Sequence, residues 1–262
     1  MKLRGKTAAI TGAAAGIGKA TVLKFAEEGI KGLMLVDLNE GALADVVAEI
    51  NKINPEVQVW TMKADVAKEE DVKAFIDTTV KNAGGIDILF NNAGRSGASC
   101  AIDELPAETF RKTMEINMYS VFYGLKYALG YMKAAGKGSI ISTASIGGLV
   151  ALPGSIDYVA AKHAIVGMTK SAAVEYGPYG VRTNAICPGP ITTDLYKGIA
   201  SENAERLGIT TEAFFKQDCE SIPMARQGKP EEIADLVSFL ASDESAYING
   251  IAIAIDGGYT SL

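Results

Sequence analysis

The chain has 262 residues, of which 48% are hydrophobic and 21% are charged, and its formal net charge is −6. This composition is typical of a globular protein with a sizeable core, and the acidic balance argues against a nucleic-acid surface, which needs a basic patch. Cys100, Cys187 and Cys219 are far apart and form no CxxC pair, so reduced thiols in a cytoplasmic protein are expected, without a zinc or other metal site or a disulfide framework.

Short apolar runs alternate with longer amphipathic stretches along the chain. The apolar runs read as seven buried strands: TAAIT (7–11), LMLVD (33–37), VQVWTM (57–62), IDILF (86–90), SIISTAS (139–145), VRTNAIC (181–187) and IAIAID (251–256). Helical patterns separate them, for example at 18–30 and 69–84. The alternation predicts one α/β domain over residues 1–262, with a doubly wound, seven-stranded parallel sheet and helices on both faces. No apolar run is long enough for a membrane span.

The turn after the first predicted strand is rich in glycine. In TGAAAGIG (11–18), Gly12, Gly16 and Gly18 allow a tight turn, close backbone approach to a pyrophosphate, and close packing of helix on sheet. The helix that follows directs free N–H groups at the phosphates. Because such a turn is often only structural, a dinucleotide site needs support from elsewhere in the chain.

Asp37 supplies that support at the end of the second predicted strand. A carboxylate there accepts hydrogen bonds from both hydroxyls of an adenosine ribose and repels a 2′-phosphate. Leu38 follows where an arginine would favour that phosphate, so the charges favour NAD over NADP. An S-adenosylmethionine-dependent methyltransferase also combines a glycine turn with an acid, and only the second half of the chain discriminates between the two.

The regular alternation of strands and helices loosens in one segment, 191–228. This segment is too long for an ordinary loop and is predicted to hold short helices of its own. Such an excursion is typical of a lid over a binding site. Residues 194–225 of this segment, together with residues 95–101 and 146–156, are expected to build the substrate pocket.

Further motifs follow the glycine turn in a distinctive order and spacing. They are NNAG (91–94), Asn117 in a helical pattern, Ser145 at the end of the fifth predicted strand, Tyr158, Lys162 and PGPITT (188–193). With these motifs the chain resembles the NAD-dependent type of the short-chain dehydrogenase/reductase family, from Lys6 to about Tyr259. Ala15 departs from the serine that many members have.

The resemblance implies a Rossmann fold with strand order 3-2-1-4-5-6-7 and an active site at the carboxyl ends of the strands. It implies a catalytic tetrad of Asn117, Ser145, Tyr158 and Lys162. The cofactor-binding residues that it implies are Gly12, Ala15, Gly16, Ile17, Gly18, Asp37, Leu38, Asp65, Val66, Asn91, Ala93, Gly94, Tyr158, Lys162, Pro188, Gly189, Ile191 and Thr193. Among them, Asp65 and Val66 are assigned to the adenine, and Asn91, Ala93 and Gly94 to the riboses.

The chemistry of alcohol oxidation is consistent with that tetrad. A base must take the hydroxyl proton, but a free tyrosine, with a pKa of about 10, is too weakly ionised near neutrality. We expect the ammonium group of Lys162, one helical turn away, to lower the pKa of Tyr158, and Ser145 to donate to the substrate oxygen. The family role of Asn117 is to hold a helix irregularity and a water that passes protons to Lys162. His163, one position past Lys162, points about 100° away and is expected to be structural.

The leading hypothesis is an NAD-dependent oxidoreductase that interconverts a secondary alcohol and a ketone, with a hydroxysteroid, cyclic alcohol or polyol as substrate. The alternatives are a 3-oxoacyl-thioester reductase, which usually uses NADP, and a non-catalytic nucleotide-binding sensor. An enoyl reductase would need a wider spacing of tyrosine and lysine. No nucleic-acid or membrane partner is expected. Apolar helical stretches at 106–136 and 158–177 predict a homo-oligomer, with a homotetramer typical of the family.

Overall fold

Seven strands form one parallel sheet in the computed structural model, which describes residues 1–261. The strands are β1 (Thr7–Thr11), β2 (Gly32–Asp37), β3 (Gln58–Lys63), β4 (Ile88–Asn91), β5 (Gly138–Thr143), β6 (Val181–Pro188) and β7 (Ala252–Ile255). Their order across the sheet is β3-β2-β1-β4-β5-β6-β7, and each neighbouring pair is parallel. The predicted doubly wound Rossmann fold is therefore confirmed.

Helices cover both faces of this sheet. They are α1 (Gly16–Glu27), α2 (Glu40–Ile53), α3 (Glu69–Ala83), α4 (Ala107–Met114), α5 (Ser120–Ala135), α6 (Ile156–Tyr176), α7 (Asp194–Leu207), α8 (Thr211–Glu220) and α9 (Pro230–Ala241). No helix among residues 1–261 combines the length and apolar character needed to cross a membrane.

The core consists of two apolar clusters, one on each side of the sheet. Along β2, Leu33 and Leu35 belong to the cluster formed with α1, α2 and α9, whereas Met34 and Val36 belong to the cluster formed with α3, α5 and α6. Successive side chains of a strand point to opposite faces, so a strand buried on both faces must be apolar at every position. This is why the strands read as continuous apolar runs.

Two local irregularities lie next to the carboxyl edge of the sheet. β5 ends at Thr143, two residues before the predicted end, because the Ser145 side chain accepts a hydrogen bond from the Gly147 amide (3.1 Å) and starts a short 3-10 turn. Between α4 and α5 the helix widens into a π-helical turn, Glu115–Tyr119, which contains Asn117. Both irregularities aim side chains at one end of the sheet.

The segment 191–228 contains α7 and α8, in agreement with the prediction of short helices. It is tied to the body by a parallel bridge between Ile191 and Gly228. The two helices therefore lie beside the carboxyl ends of β6 and β7, where β6 runs directly into the segment.

Candidate active site

A cavity of about 340 Å³ opens at the carboxyl ends of the central strands. It lies at the switch point of the sheet, where the chain turns from β1 towards β2 on one side and β4 lies on the other. The residues that line it are Gly12, Ala15, Gly16, Ile17, Asp37, Asn92, Ala93, Gly94, Arg95, Thr143, Ala144, Ser145, Tyr158, Lys162, Pro188, Gly189, Ile191, Thr193, Asp194, Leu195, Tyr196 and Ile199. The structure thus brings most of the predicted site residues to one place.

The glycine turn forms one end of the cavity. Gly12 adopts a φ of 66°, and a Cβ atom there would lie 3.1 Å from the Cα of Ala93. A Cβ at Gly18 would overlap the carbonyl oxygen of Gly12, so this glycine allows α1 to start directly against the turn although it does not line the cavity itself. Ala15, at the cap of α1, has no side-chain oxygen to satisfy the first amides of the helix. The turn therefore fits a pyrophosphate.

Asp37 lies at the tip of β2, on the same side of the cavity. Its carboxylate accepts hydrogen bonds from the amides of Ala14 and Asn39, each at 3.0 Å, which fix its orientation. Leu38 is exposed and does not line the cavity. Two further predicted residues, Asp65 and Val66, also lie outside the cavity wall. The Asp65 carboxylate accepts a hydrogen bond from the Ala67 amide (3.0 Å).

Ser145, Tyr158 and Lys162 meet at the other end of the cavity. Tyr158 and Lys162 lie one turn apart on α6, and the Lys162 Nζ atom is 5.4 Å from the centroid of the tyrosine ring. That Nζ atom donates a hydrogen bond to the carbonyl oxygen of Thr143 (2.8 Å), which anchors it at the end of β5. Ser145 and Tyr158 line the same end of the cavity, and the Ser145 hydroxyl also accepts from the Gly147 amide. A hydroxyl donor, a phenol and a buried amine therefore converge on one point.

Asn117 lies behind this group rather than in the cavity wall. It is buried in the π-helical turn, and its carboxamide clamps the backbone of Arg95: Oδ1 accepts from the Arg95 amide (2.8 Å) and Nδ2 donates to the Arg95 carbonyl (3.0 Å). A Cβ atom at Gly94 would lie 2.9 Å from Asn117 Oδ1 and 3.8 Å from Lys162 Nζ. Asn117 therefore adjoins the catalytic group and holds the loop that follows β4.

Known proteins share both the sequence and this geometry. A family model described as enoyl-(acyl carrier protein) reductase matches residues 12–260. Levodione reductase of Leifsonia aquatica is 38% identical, over 96% of this chain and 93% of its own length. Cyclohexanol dehydrogenase of Acinetobacter sp. (strain SE19) is 38% identical, over 99% and 97%. The structure of an NAD+-bound xylitol dehydrogenase superposes with a TM-score of 0.93 at 34% identity, covering 98% of this chain and 100% of that one.

The chain belongs to the short-chain dehydrogenase/reductase family. This confirms the predicted family, and with it an oxidoreductase that interconverts an alcohol and a ketone with a nicotinamide cofactor. The S-adenosylmethionine-dependent alternative is excluded by this membership.

Burial shifts the ionisation of both titratable groups in this short-chain dehydrogenase/reductase. It raises the pKa of Tyr158, and the neighbouring Ser145 hydroxyl opposes that rise. It lowers the pKa of Lys162 to about 8. Lys162 is predicted to lower the pKa of Tyr158, but the removal of both groups from water is the larger effect. Burial disfavours the charged form of each group, which is the phenolate of Tyr158 and the ammonium of Lys162.

Asn91 is placed differently from the expectation for a ribose-binding side chain. It points into the core, where its Nδ2 lies 3.4 Å from the Ser142 hydroxyl and its Oδ1 occupies the space that a Cβ of Gly124 would need. The neighbouring Asn92 lines the cavity instead and donates from Nδ2 to the Thr11 carbonyl (3.1 Å). Alternation along the strand was a signal for this difference, since adjacent residues face opposite sides of the sheet.

The segment 191–228 forms the outer wall of the cavity through Tyr196 and its neighbours on α7. Tyr196 packs against Phe215 of α8, with ring centroids 6.3 Å apart. Burial raises the pKa of Tyr196. Gln227 donates to Asp218 (3.0 Å) and accepts from Thr192 (3.1 Å), so the two ends of the segment are linked.

Five cavity residues come from the segments predicted to build the substrate pocket: Arg95, Asp194, Leu195, Tyr196 and Ile199. Three cavity residues were not predicted as site residues: Asn92, Thr143 and Ala144. Thr143 participates through its backbone carbonyl, for which sequence offers no signal. His163 is exposed on α6, outside the cavity, and its Nδ1 lies 3.0 Å from the Val159 carbonyl of its own helix.

Proposed function

We propose that this protein is an NAD-dependent dehydrogenase for a secondary alcohol on a mainly apolar, cyclic skeleton. The observation that carries the proposal is the single cavity that joins a ribose-binding carboxylate, Asp37, to the group formed by Ser145, Tyr158 and Lys162. The apolar side chains of Leu195 and Ile199 on its outer wall favour a hydrocarbon ring over a polyol or sugar. The cyclic alcohol in the name of one relative, cyclohexanol dehydrogenase, supports the same choice.

Each residue of the catalytic group has a distinct role in this proposal. The Ser145 hydroxyl donates to the oxygen of the substrate and holds it beside the Tyr158 phenol, which takes the hydroxyl proton during oxidation and returns it during reduction. The Nζ atom of Lys162 is anchored on the Thr143 carbonyl. When this amine is protonated, its positive charge stabilises the phenolate of Tyr158. When bound, the nicotinamide accepts the hydride from the alcohol carbon.

The proposed preference for NAD rests on charge at the adenosine end of the cavity. The turn from Gly12 to Gly18 would hold the pyrophosphate, and the Asp37 carboxylate would accept hydrogen bonds from the two hydroxyls of the adenosine ribose. A 2′-phosphate would face the same carboxylate at short range with no arginine beside it, because Leu38 follows. This arrangement also weighs against a 3-oxoacyl-thioester reductase that uses NADP.

Asn117 is proposed to act in positioning. Its carboxamide fixes the backbone of Arg95 and thereby the loop that follows β4, next to the Nζ atom of Lys162. The resemblance to the family implies that the π-helical turn, which carries Asn117, holds a water that passes protons to Lys162. The segment 191–228 is proposed to be the lid, since its α7 residues form the outer wall.

We also propose that the protein is a homotetramer in the cytoplasm. Several large apolar side chains on or beside α5 and α6 are exposed in the single chain: Tyr119, Phe122, Tyr131 and Val174. A stripe of this kind favours burial against another copy. Analytical ultracentrifugation is expected to give about four times the mass of one chain, which is 27.5 kDa; a single species of one chain mass would refute the assembly.

The proposed function is tested by turnover with NAD or NADP on cyclic alcohols, hydroxysteroids, polyols and 3-hydroxyacyl thioesters. Reduced nicotinamide is followed by its absorbance. The blank is Tyr158→Phe, which keeps the ring but removes the proton carrier, and we expect at least about a 100-fold loss of kcat with little change in the Kd of NADH. A hit confined to thioesters with NADP, or near-normal turnover by the variant, would overturn the proposal. NADH binding without turnover of any alcohol would favour the sensor.

A further inference from the structure

Arg95 is a cavity residue that the proposed reaction does not use. Its guanidinium carries five N–H donors. Among the described residues, the Arg95 side chain makes one hydrogen bond, from Nε to the Ser96 carbonyl (3.1 Å). It forms no ion pair with any described carboxylate. The residue is only half exposed. Its two terminal nitrogens make no hydrogen bond to the described residues and are not buried, so they are open to a ligand in the cavity.

The other charged groups of the cavity already have partners within the protein. Asp37 is held by two backbone amides, Lys162 by the Thr143 carbonyl, and Asp194 by Lys197 at 3.0 Å. Among the charged side chains in the described part of the cavity wall, Arg95 is therefore the one whose terminal nitrogens have N–H donors without a protein acceptor. A planar fork matches a carboxylate in bidentate geometry better than it matches a single hydroxyl.

The position of Arg95 places it on the substrate side. Its backbone is clamped by Asn117 through both the amide and the carbonyl, so the direction in which the side chain leaves the loop is fixed. The loop continues over the start of α6, where a Cβ at Gly97 would lie 2.7 Å from the Cβ of Tyr158 and the Ala98 amide donates to Asp157 (3.1 Å). The wall that carries Arg95 is thus packed on the residue that handles the proton.

The same loop also contacts the lid. The hydroxyl of Ser99 donates to the Asn203 carboxamide of α7 (3.2 Å), one turn from Ile199. A substrate in the cavity therefore lies between an apolar wall on α7 and a cationic wall at Arg95. This arrangement suits a molecule with a hydrocarbon skeleton and one anionic group away from its hydroxyl.

We propose that Arg95 is a specificity-determining residue that binds a carboxylate on the substrate, so that the preferred substrates are cyclic hydroxy acids and the corresponding oxo acids. The proposal rests on the proposed function for the identity of the reacting hydroxyl, but the binding of the carboxylate itself does not require turnover. Its two ends are separate: Tyr158 and Ser145 hold the reacting oxygen, and Arg95 holds the acid group.

The test compares a charged with a neutral ligand of the same shape. The substrates are 4-hydroxycyclohexanecarboxylate and its carboxamide, and the unreactive probes are cyclohexanecarboxylate and cyclohexanecarboxamide, titrated calorimetrically into the intact protein with NADH. We expect the carboxylate to be favoured about tenfold to a hundredfold in kcat/KM and in Kd, as for one charge-assisted bidentate pair. In Arg95→Gln this ratio should fall to about one, and Arg95→Lys should restore it in part.

Arg111→Gln is the matched control, because it removes the same charge from an exposed position on α4 outside the cavity. The ratio should be unchanged in this variant.

An equal preference for both ligands in the unmodified protein, or a ratio that survives in Arg95→Gln, would overturn the inference. Binding of the carboxylate that depends on Arg95, without oxidation of any alcohol, would instead uphold the inference and refute the proposed function. If Arg95→Gln raised only the KM of NAD, the guanidinium would belong to the cofactor site and the inference would be wrong.

Discussion

The substitution Asp37→Asn isolates the charge that is proposed to select NAD. The asparagine keeps the size of the side chain and one acceptor, so it can still bind the amide of Ala14 or of Asn39, both now at 3.0 Å from the carboxylate. What it loses is the negative charge. NAD binding should weaken because two charged hydrogen bonds to the ribose become neutral, whereas NADP binding should change little because the repulsion of its 2′-phosphate disappears while its one bond from the 3′-hydroxyl weakens.

The magnitude follows from these two effects. A hydrogen bond to a charged group is stronger than a neutral one by about 1 kcal/mol. Only the bond to the 2′-hydroxyl counts towards the preference, since both cofactors carry the 3′-hydroxyl. Repulsion between unit charges about 4 Å apart in a water-like environment adds about 1 kcal/mol. The total of about 2 kcal/mol corresponds to roughly a 30-fold fall in the preference for NAD over NADP.

The preference is measured as the ratio of the Kd values of NADH and NADPH by fluorescence titration, and as the ratio of kcat/KM with one alcohol. Asp45→Asn is the control, because it removes a carboxylate from an exposed position on the neighbouring α2. A circular dichroism melt checks that both variants are folded. If the ratio in Asp37→Asn stayed within about threefold of the unmodified protein, another residue would set the cofactor preference and the charge argument would be wrong.

Two further predictions concern stability. Burial holds the pKa of Lys162 at about 8, below its usual 10.5. The protonated amine therefore destabilises the fold below pH 8, and this penalty disappears as the pH rises to 10.5. Lys162→Met should raise the Tm at pH 7 and should raise it by less at pH 10; an equal gain at both pH values would contradict the burial of a charge. Gly18→Ala should lower the Tm and weaken NADH binding, because the new Cβ would overlap the Gly12 carbonyl. The control is Gly41→Ala in α2, whose Cβ would make only an ordinary contact and which should raise the free energy of unfolding by up to about 1 kcal/mol. Equal Tm values for the two variants would show that the turn tolerates a side chain.

Most of the site was predictable because its chemistry resides in side chains at regular positions. Tyr158 and Lys162 are four residues apart on a helix, so they share a face whatever the surroundings. Asp37 ends a strand whose neighbour β1 ends in the glycine turn, and parallel strands bring their carboxyl ends to one edge. Asn91 shows where a motif is too coarse, because NNAG contains two asparagines and the motif does not say which of them enters the core. Alternation along β4 and the space beside Gly124 place Asn91 there.

The sequence by itself determined the order of strands and helices, the family and the residue types that carry out the reaction, because these depend on local periodicity and short spacings. Tertiary structure alone decided how those residues are tuned. The rise in the pKa of Tyr158 and the fall in that of Lys162 come from burial beneath distant segments. The clamp of Asn117 on Arg95 joins residues 22 positions apart, and the bond from Ser99 to Asn203 joins residues 104 apart. Contacts over such separations depend on how the loops pack against one another, and no local pattern encodes that packing.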